Sequence, residues 1–169
     1  ATENKHFFMH TLNEIVQAFI DFSPKALGLV LDIGAAYGIA TIPIINQKIK
    51  VTACDIDAAH LAELENRIAP ELQSHLTKIT GKFPQEINFE RGSVGAICLS
   101  HILHFLSPDE LDFAFEKFSR WLTPGGKVFV VTYSPYIACF QHFLPIYKKR
   151  YKRGVKWPCW VENNVHDYL

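Results

Sequence analysis

An apolar, β-branched run that ends in a carboxylate and a turn of small residues fixes the start of this chain's fold. It reads Leu29-Val30-Leu31-Asp32-Ile33-Gly34-Ala35-Ala36-Tyr37-Gly38, and a second short run, Val51-Thr52-Ala53-Cys54-Asp55, also ends in a carboxylate. Gly34 lets the chain turn off a strand with positive φ. Ala35 and Ala36 let a ligand approach the backbone, and Gly38 is expected to open a helix whose free N–H groups face that ligand. Asp55 stands where an acidic side chain accepts hydrogen bonds from both hydroxyls of a ribose. Its plainer reading is a cap for the helix that begins near Asp57. The pattern predicts a nucleoside-cofactor site.

A dinucleotide fingerprint asks for glycine at the first, third and sixth positions of the turn. Here those positions are Gly34, Ala36 and Ile39, so the pattern fails at its last requirement. A carboxylate just before the turn suits a ligand with a cationic amino group and a sulfonium better than a pyrophosphate. Asp32 is therefore expected to order the loop and meet the amino group, with a plain loop acid as the alternative.

Four segments now stand in order: Asp32-x-Gly34-x-Ala36-x-Gly38, Asp55, Gly95–Leu106, and Leu122-Thr123-Pro124-Gly125-Gly126 running into Lys127–Val131. Across roughly 29–133 the chain resembles the class I S-adenosylmethionine-dependent methyltransferase family. The resemblance implies a Rossmann-like, doubly wound, mostly parallel α/β sheet of order 3-2-1-4-5. It also implies S-adenosylmethionine as methyl donor and S-adenosylhomocysteine as product. The site residues it implies are Asp32, Gly34, Ala35, Ala36, Tyr37, Gly38, Asp55, Ile56, Lys82, Phe83 and Ser100 for the cofactor. His101, which borders the reacting centre, is the candidate base, and His104 is expected to pack and cap the turn. Two departures stand out. Gly81-Lys82 replaces the family's Gly-Asp near the adenine, so Phe83 or a backbone group takes that contact, and Gly95 replaces an acid at the start of the fourth strand.

Periodicity places the elements. An amphipathic helix is predicted over Lys5–Asp21 and a second from about Gly38 to Gln47, with strands at 28–33 and 50–54. A third helix is expected over Asp57–Ala69, then strands at 76–79 and 94–99. Ser107-Pro108-Asp109-Glu110 reads as a capping box that opens a fourth helix, and a fifth strand is expected over 127–133. Strands alternating with helices predict a parallel sheet.

The 169 residues read as one domain over 1–169, with an N-terminal helix in 1–24 and the start of a substrate or cap segment in 134–169. The family's last two strands have no counterpart here. The expectation is a truncated domain, with an open sheet edge that invites self-association. Net charge is zero, yet residues 1–147 hold 11 basic and 15 acidic groups while 148–169 hold 6 and 2. The tail, Lys148–Arg153 with Lys156, Trp157 and Trp160, has the basic and aromatic mixture used on nucleic acid. An acidic body argues against that, so a small-molecule methyl acceptor is expected over RNA. Four dispersed cysteines without a Cys-x-x-Cys pair, no secretory signal and no long apolar run predict a cytoplasmic, metal-free protein off the membrane. The expected chemistry is direct in-line methyl transfer. A cofactor- or partner-binding module of the same fold without turnover is the alternative, and a nicotinamide dehydrogenase is a more distant one.

Overall fold

In the computed structural model, which describes residues 12–161 apart from the side chain of Cys139, the sheet is laid down by five parallel strands. They are β1 (Leu29–Ile33), β2 (Val51–Asp55), β3 (Leu76–Thr80), β4 (Val94–Ser100) and β5 (Leu122–Val131), in the order β3-β2-β1-β4-β5. This is the expected order, with β1 central. The helices are α1 (Glu14–Phe22), α2 (Thr41–Ile45), α3 (Ala58–Asn66), α4 (Pro108–Trp121) and α5 (Leu144–Lys152).

Strand period two divides the core between the sheet's two faces. Val30, Ala53, Ala96 and Cys98 point to one side, where Val16, Phe19, Ile20, Ile44, Leu61 and Leu64 from α1, α2 and α3 cover them. Leu31, Ile33, Cys54, Ile97 and Leu99 point to the other, against Ala114, Phe118 and Trp121 of α4. Asp32 shares the face of Val30, which directs its carboxylate toward α2.

Several boundaries differ from the sequence expectation for physical reasons. The part of the first helix proposed over 5–11 lies outside the described residues; the rest starts at Asn13, whose side chain accepts from the amides of Ile15 and Val16. The second helix is only five residues long, because Gly38 sits at φ +81 and the helix cannot begin before Thr41. The third helix stops at Asn66, and Pro70–His75 forms a 3-10 turn, since the residue before Pro70 is pushed out of the helical region. Leu72 therefore packs from a turn. The fifth strand begins at Leu122, directly after α4. It pairs with Val94, loops out through Pro124-Gly125-Gly126, and rejoins at Lys127 opposite Ala96.

Gly95 has a backbone reason. A Cβ there would lie 2.8 Å from the amide nitrogen and the carbonyl oxygen of Leu27, so an acid has no room at the start of β4. Among the described residues no strand pairs with the outer edge of β5.

Candidate functional site

The carboxyl ends of β1, β2 and β4 meet at one edge of the sheet. Asp32 is 3% exposed, and Thr41 donates its hydroxyl to Oδ2 at 2.7 Å. Burial, chiefly, pushes its carboxyl up to about 6; the nearby Asp55 charge adds to this and the Thr41 hydrogen bonds oppose it. Asp32 thus ties the loop to α2 in the structure.

The loop's own amides turn inward. Gly34 and Ala35 donate to the Cys54 carbonyl at 2.8 and 3.0 Å, and Ala36 donates to Asp55 Oδ2 at 2.8 Å. Gly38 donates to the Ala35 carbonyl at 2.8 Å. The expectation that Gly38 opens a helix with free amides is therefore corrected: its amide is engaged, and α2 starts three residues later. Gly34 is required for a different neighbour than a ligand. At φ +77, a Cβ on it would run into the side chain of Ile102, which leaves the end of β4 and lies over the loop. Ala36 holds φ +45, a conformation that non-glycine residues seldom adopt.

At the end of β2, Asp55 is 8% exposed. Its Oδ1 accepts from the Asp57 amide at 2.9 Å and lies 3.2 Å from His60 Nδ1. Asp57 is the residue that caps α3, accepting from the Ala59 amide at 2.8 Å. An ionised carboxylate offers about four acceptor positions. Three are filled from within the protein, so Asp55 retains one, on Oδ2, where the sequence suggested two for a ribose. Ile56 follows with 67% of its surface exposed, an apolar face beside that carboxylate. Tyr37 meets His60 edge-on at 5.0 Å and lies 4.9 Å from the Arg67 guanidinium, which places its ring over α3. His60 was missed from the sequence. Its signal is position: three residues after the Asp57 cap it faces back toward the strand end.

After β3, the Lys82 amide donates to Glu86 and its Nζ lies 3.2 Å from Glu110 Oε1. Phe83 lies in the core. Its ring stacks on Phe118 at 5.6 Å and 7°, packed in the core beneath the sheet, so the exposed apolar surface near the loop belongs to Ile56. Lys117, also missed, is 4% exposed and donates to the Pro84 and Ile87 carbonyls and to Asn88 Oδ1 at 2.5, 2.8 and 2.8 Å. It pins the loop after β3 to α4.

Ser100 ends β4 opposite Val131. His101 follows at φ +59, donates its amide to the Val131 carbonyl at 2.8 Å, and stacks on Tyr133 at 4.0 Å. Both of its ring nitrogens are buried without a hydrogen-bond partner among the described residues, and burial holds its pKa below the usual value. His104 is 5% exposed, and its Nδ1 has no hydrogen-bond partner among the described residues; burial first and His101 second bring its pKa down to about 4. Its ring touches Phe105, Tyr133 and Phe140, and its carbonyl accepts from the Val161 amide at 2.8 Å. A small apolar cleft lies here, lined by His104, Tyr133, Pro135, Phe140, Phe143 and Val161. Among the described residues, no group of three or more His, Cys, Asp or Glu is placed to hold a metal, and no helix is long and apolar enough to cross a membrane.

A family model described as a methyltransferase domain matches residues 30–126, more than half of the chain. The chain belongs to that family. Solved structures similar to this methyltransferase domain include the glycopeptide N-methyltransferase MtfA, at 20% identity and TM-score 0.55 over 68% of this chain and 52% of that one. An S-adenosylmethionine-dependent methyltransferase from Mesorhizobium loti is similar at 18% identity and TM-score 0.57, covering 70% and 52%. Phosphoethanolamine N-methyltransferase 1 of Haemonchus contortus is similar at 17% and 0.57, covering 79% and 33%. At these identities the likeness is one of fold, and the chain spans about half the length of the first of them. A search of curated proteins finds no match. The matched segment of the methyltransferase domain contains Asp32, the loop, Asp55, Ile56 and the end of β4.

Proposed function

We propose that this methyltransferase domain binds S-adenosylmethionine through Asp32, the 34–38 loop, Asp55 and Ile56, and serves methyl transfer to a small organic acceptor. One observation carries the reading. The three successive amides after β1 are all bonded to β2, so the turn offers no cradle for a pyrophosphate, while one acceptor position on Asp55 stays open beside the exposed Ile56. Those residues fit a ribose hydroxyl and a purine face, and they do not fit a dinucleotide. Asp32 supplies the negative charge for an ammonium group, and a bound cation would draw its carboxyl back toward ionisation.

The bound cofactor supplies a methyl group already activated by a sulfonium. The chain's residues have placement to contribute, which lowers such a barrier by up to ~7–11 kcal/mol. Asp32, the 34–38 loop, Asp55 and Ile56 would hold that cofactor, which would supply its methyl group to the acceptor's N or O. His101, whose ring nitrogens have no hydrogen-bond partner among the described residues, is the candidate to take the acceptor's proton. The aromatic lining from Tyr133, Phe140 and Phe143 suits an apolar body on that acceptor. Against RNA as acceptor, Arg150 is bonded to the Trp160 carbonyl and Lys156 to Asp112, which thins the basic tail.

Calorimetric titration of this chain with S-adenosylhomocysteine and with NAD tests the reading. The expected result is saturable binding of the first and none of the second; the reverse overturns it. Labelled-methyl turnover on phenol- and amine-bearing small molecules then separates a transferase from a binding module.

A further inference from the structure

We infer that His60 is a positioning residue for the cofactor's ribose, holding the Asp55 carboxylate in the one orientation that leaves an acceptor position open. The inference rests on the nucleoside reading of Asp55 above. A carboxylate at a strand end turns easily, because the last torsion of an aspartate is broad and roughly two-fold. Two backbone amides, from Ala36 and Asp57, each reach one of its oxygens. The two amides hold the carboxylate at one point on each oxygen and leave it free to rock about the line between those points. His60 adds the third point of attachment. It comes from α3, its Nδ1 lies 3.2 Å from Oδ1, and a carboxylate only accepts, so Nδ1 carries the proton.

The histidine also packs against the cofactor loop, where the Tyr37 ring meets the imidazole edge-on at 5.0 Å. His60 is 12% exposed at its side chain, with Asp55 at 8%, so the pair is sheltered from water. The strand end, the cofactor loop and the first turn of α3 therefore converge on one carboxylate. His60 is the only side chain among them that donates to it. Such a donor acts on binding by keeping the open lone pair in place before the ligand arrives, which removes an ordering cost from association.

The shape of the two amide side chains gives the test. Asparagine places its NH₂ where Nδ1–H stands, whereas glutamine reaches the Nε2 position, toward Asp57. His60→Ala, His60→Gln and His60→Asn are titrated with S-adenosylhomocysteine beside Asp55→Ala, and each is melted without ligand. Expected are losses on the order of tenfold in affinity for His60→Ala and His60→Gln, recovery to within about twofold in His60→Asn, and melting temperatures that do not follow this pattern. Parent-like affinity in His60→Ala overturns the inference, as does His60→Asn behaving like His60→Gln. Affinities that simply track melting temperature would show a structural role only, and also overturn it. If Asp55→Ala binds as tightly as the parent, the nucleoside reading itself fails. If Asp55→Ala loses binding while His60→Ala does not, only the role of His60 fails.

Discussion

Asp32 carries a stability cost at neutral pH, because its charged form is buried. Its carboxyl is raised from 3.8 to about 6 by burial, so between those values the folded chain holds a proton that the unfolded chain has released. Stability on this account is greatest in acid and falls as pH rises through about 6, by about 3 kcal/mol in all. Asp32→Asn keeps an acceptor for the Thr41 hydroxyl and removes the charge. Urea unfolding at pH 7.5 should show the variant more stable by ~1–3 kcal/mol, while its affinity for S-adenosylhomocysteine falls; equal urea midpoints would show that the buried charge is already compensated. Gly34 makes a second case. Gly34→Ala should destabilise by ~1–3 kcal/mol, through positive φ and collision with Ile102, and Ile102→Ala should relieve part of that loss in the double variant. The sequence showed that this position wants glycine, because it sits in a run of small residues after a strand. It did not show why, because Ile102 arrives from the far side of β4. The same limit hid His60: a histidine three residues past a capping aspartate looks like helix surface until the strand end it faces is known.

Strands and the capped helix were the legible elements. The runs at 29–33, 51–55 and 94–99 are apolar and β-branched because both of their faces are covered. Ser107 and Glu110 form the reciprocal box that their spacing announced, with the Ser107 amide donating to Glu110 at 2.8 Å and the Glu110 amide to Ser107 at 3.2 Å. Helix lengths were less legible, since α2 and α3 are cut by a positive-φ glycine and by a proline whose effects depend on where the turn falls. The loop after β3 was not legible in this way. Its order comes from Lys117, one helix away, whose three protons each meet an oxygen at 2.5–2.8 Å. A charged lysine on an otherwise apolar helix face gives no sequence sign that carbonyls await it. Lys117→Met should strand the Pro84 and Ile87 carbonyls and cost ~2–4 kcal/mol. Amide exchange should quicken across 82–88 and stay parent-like in β1 and β2; uniform quickening would mean that Lys117 stabilises the whole domain and not that loop.

Across the whole molecule, the sheet gathers at its carboxyl end two buried groups that respond to acid in opposite senses. Asp32 sits at the end of β1 over α2, and His104 sits beyond β4 among Tyr133, Phe105 and Phe140. His104 has its pKa brought from 6.5 down to about 4, so between those values the unfolded chain binds the extra proton. Its contribution is present above 6.5 and is lost as pH falls toward 4, by about 3 kcal/mol. Asp32 gains a similar amount over the overlapping span. His101, lowered in the same direction, sides with His104, and Glu110, held low by the Ser107 amide, Gln85 and Lys82 despite its burial, adds a further loss in acid. The parent should therefore show only a shallow fall in stability between pH 6.5 and 4. Each single variant should expose the partner that remains: Asp32→Asn should lose stability steeply over that range, and His104→Phe should lose little or gain. Their double variant should return near the parent's slope, because neither group's charge figures in the other's shift and their effects add. Urea midpoints at half-unit steps across that range check this, and four parallel curves would mean that neither group's burial governs how the domain responds to acid.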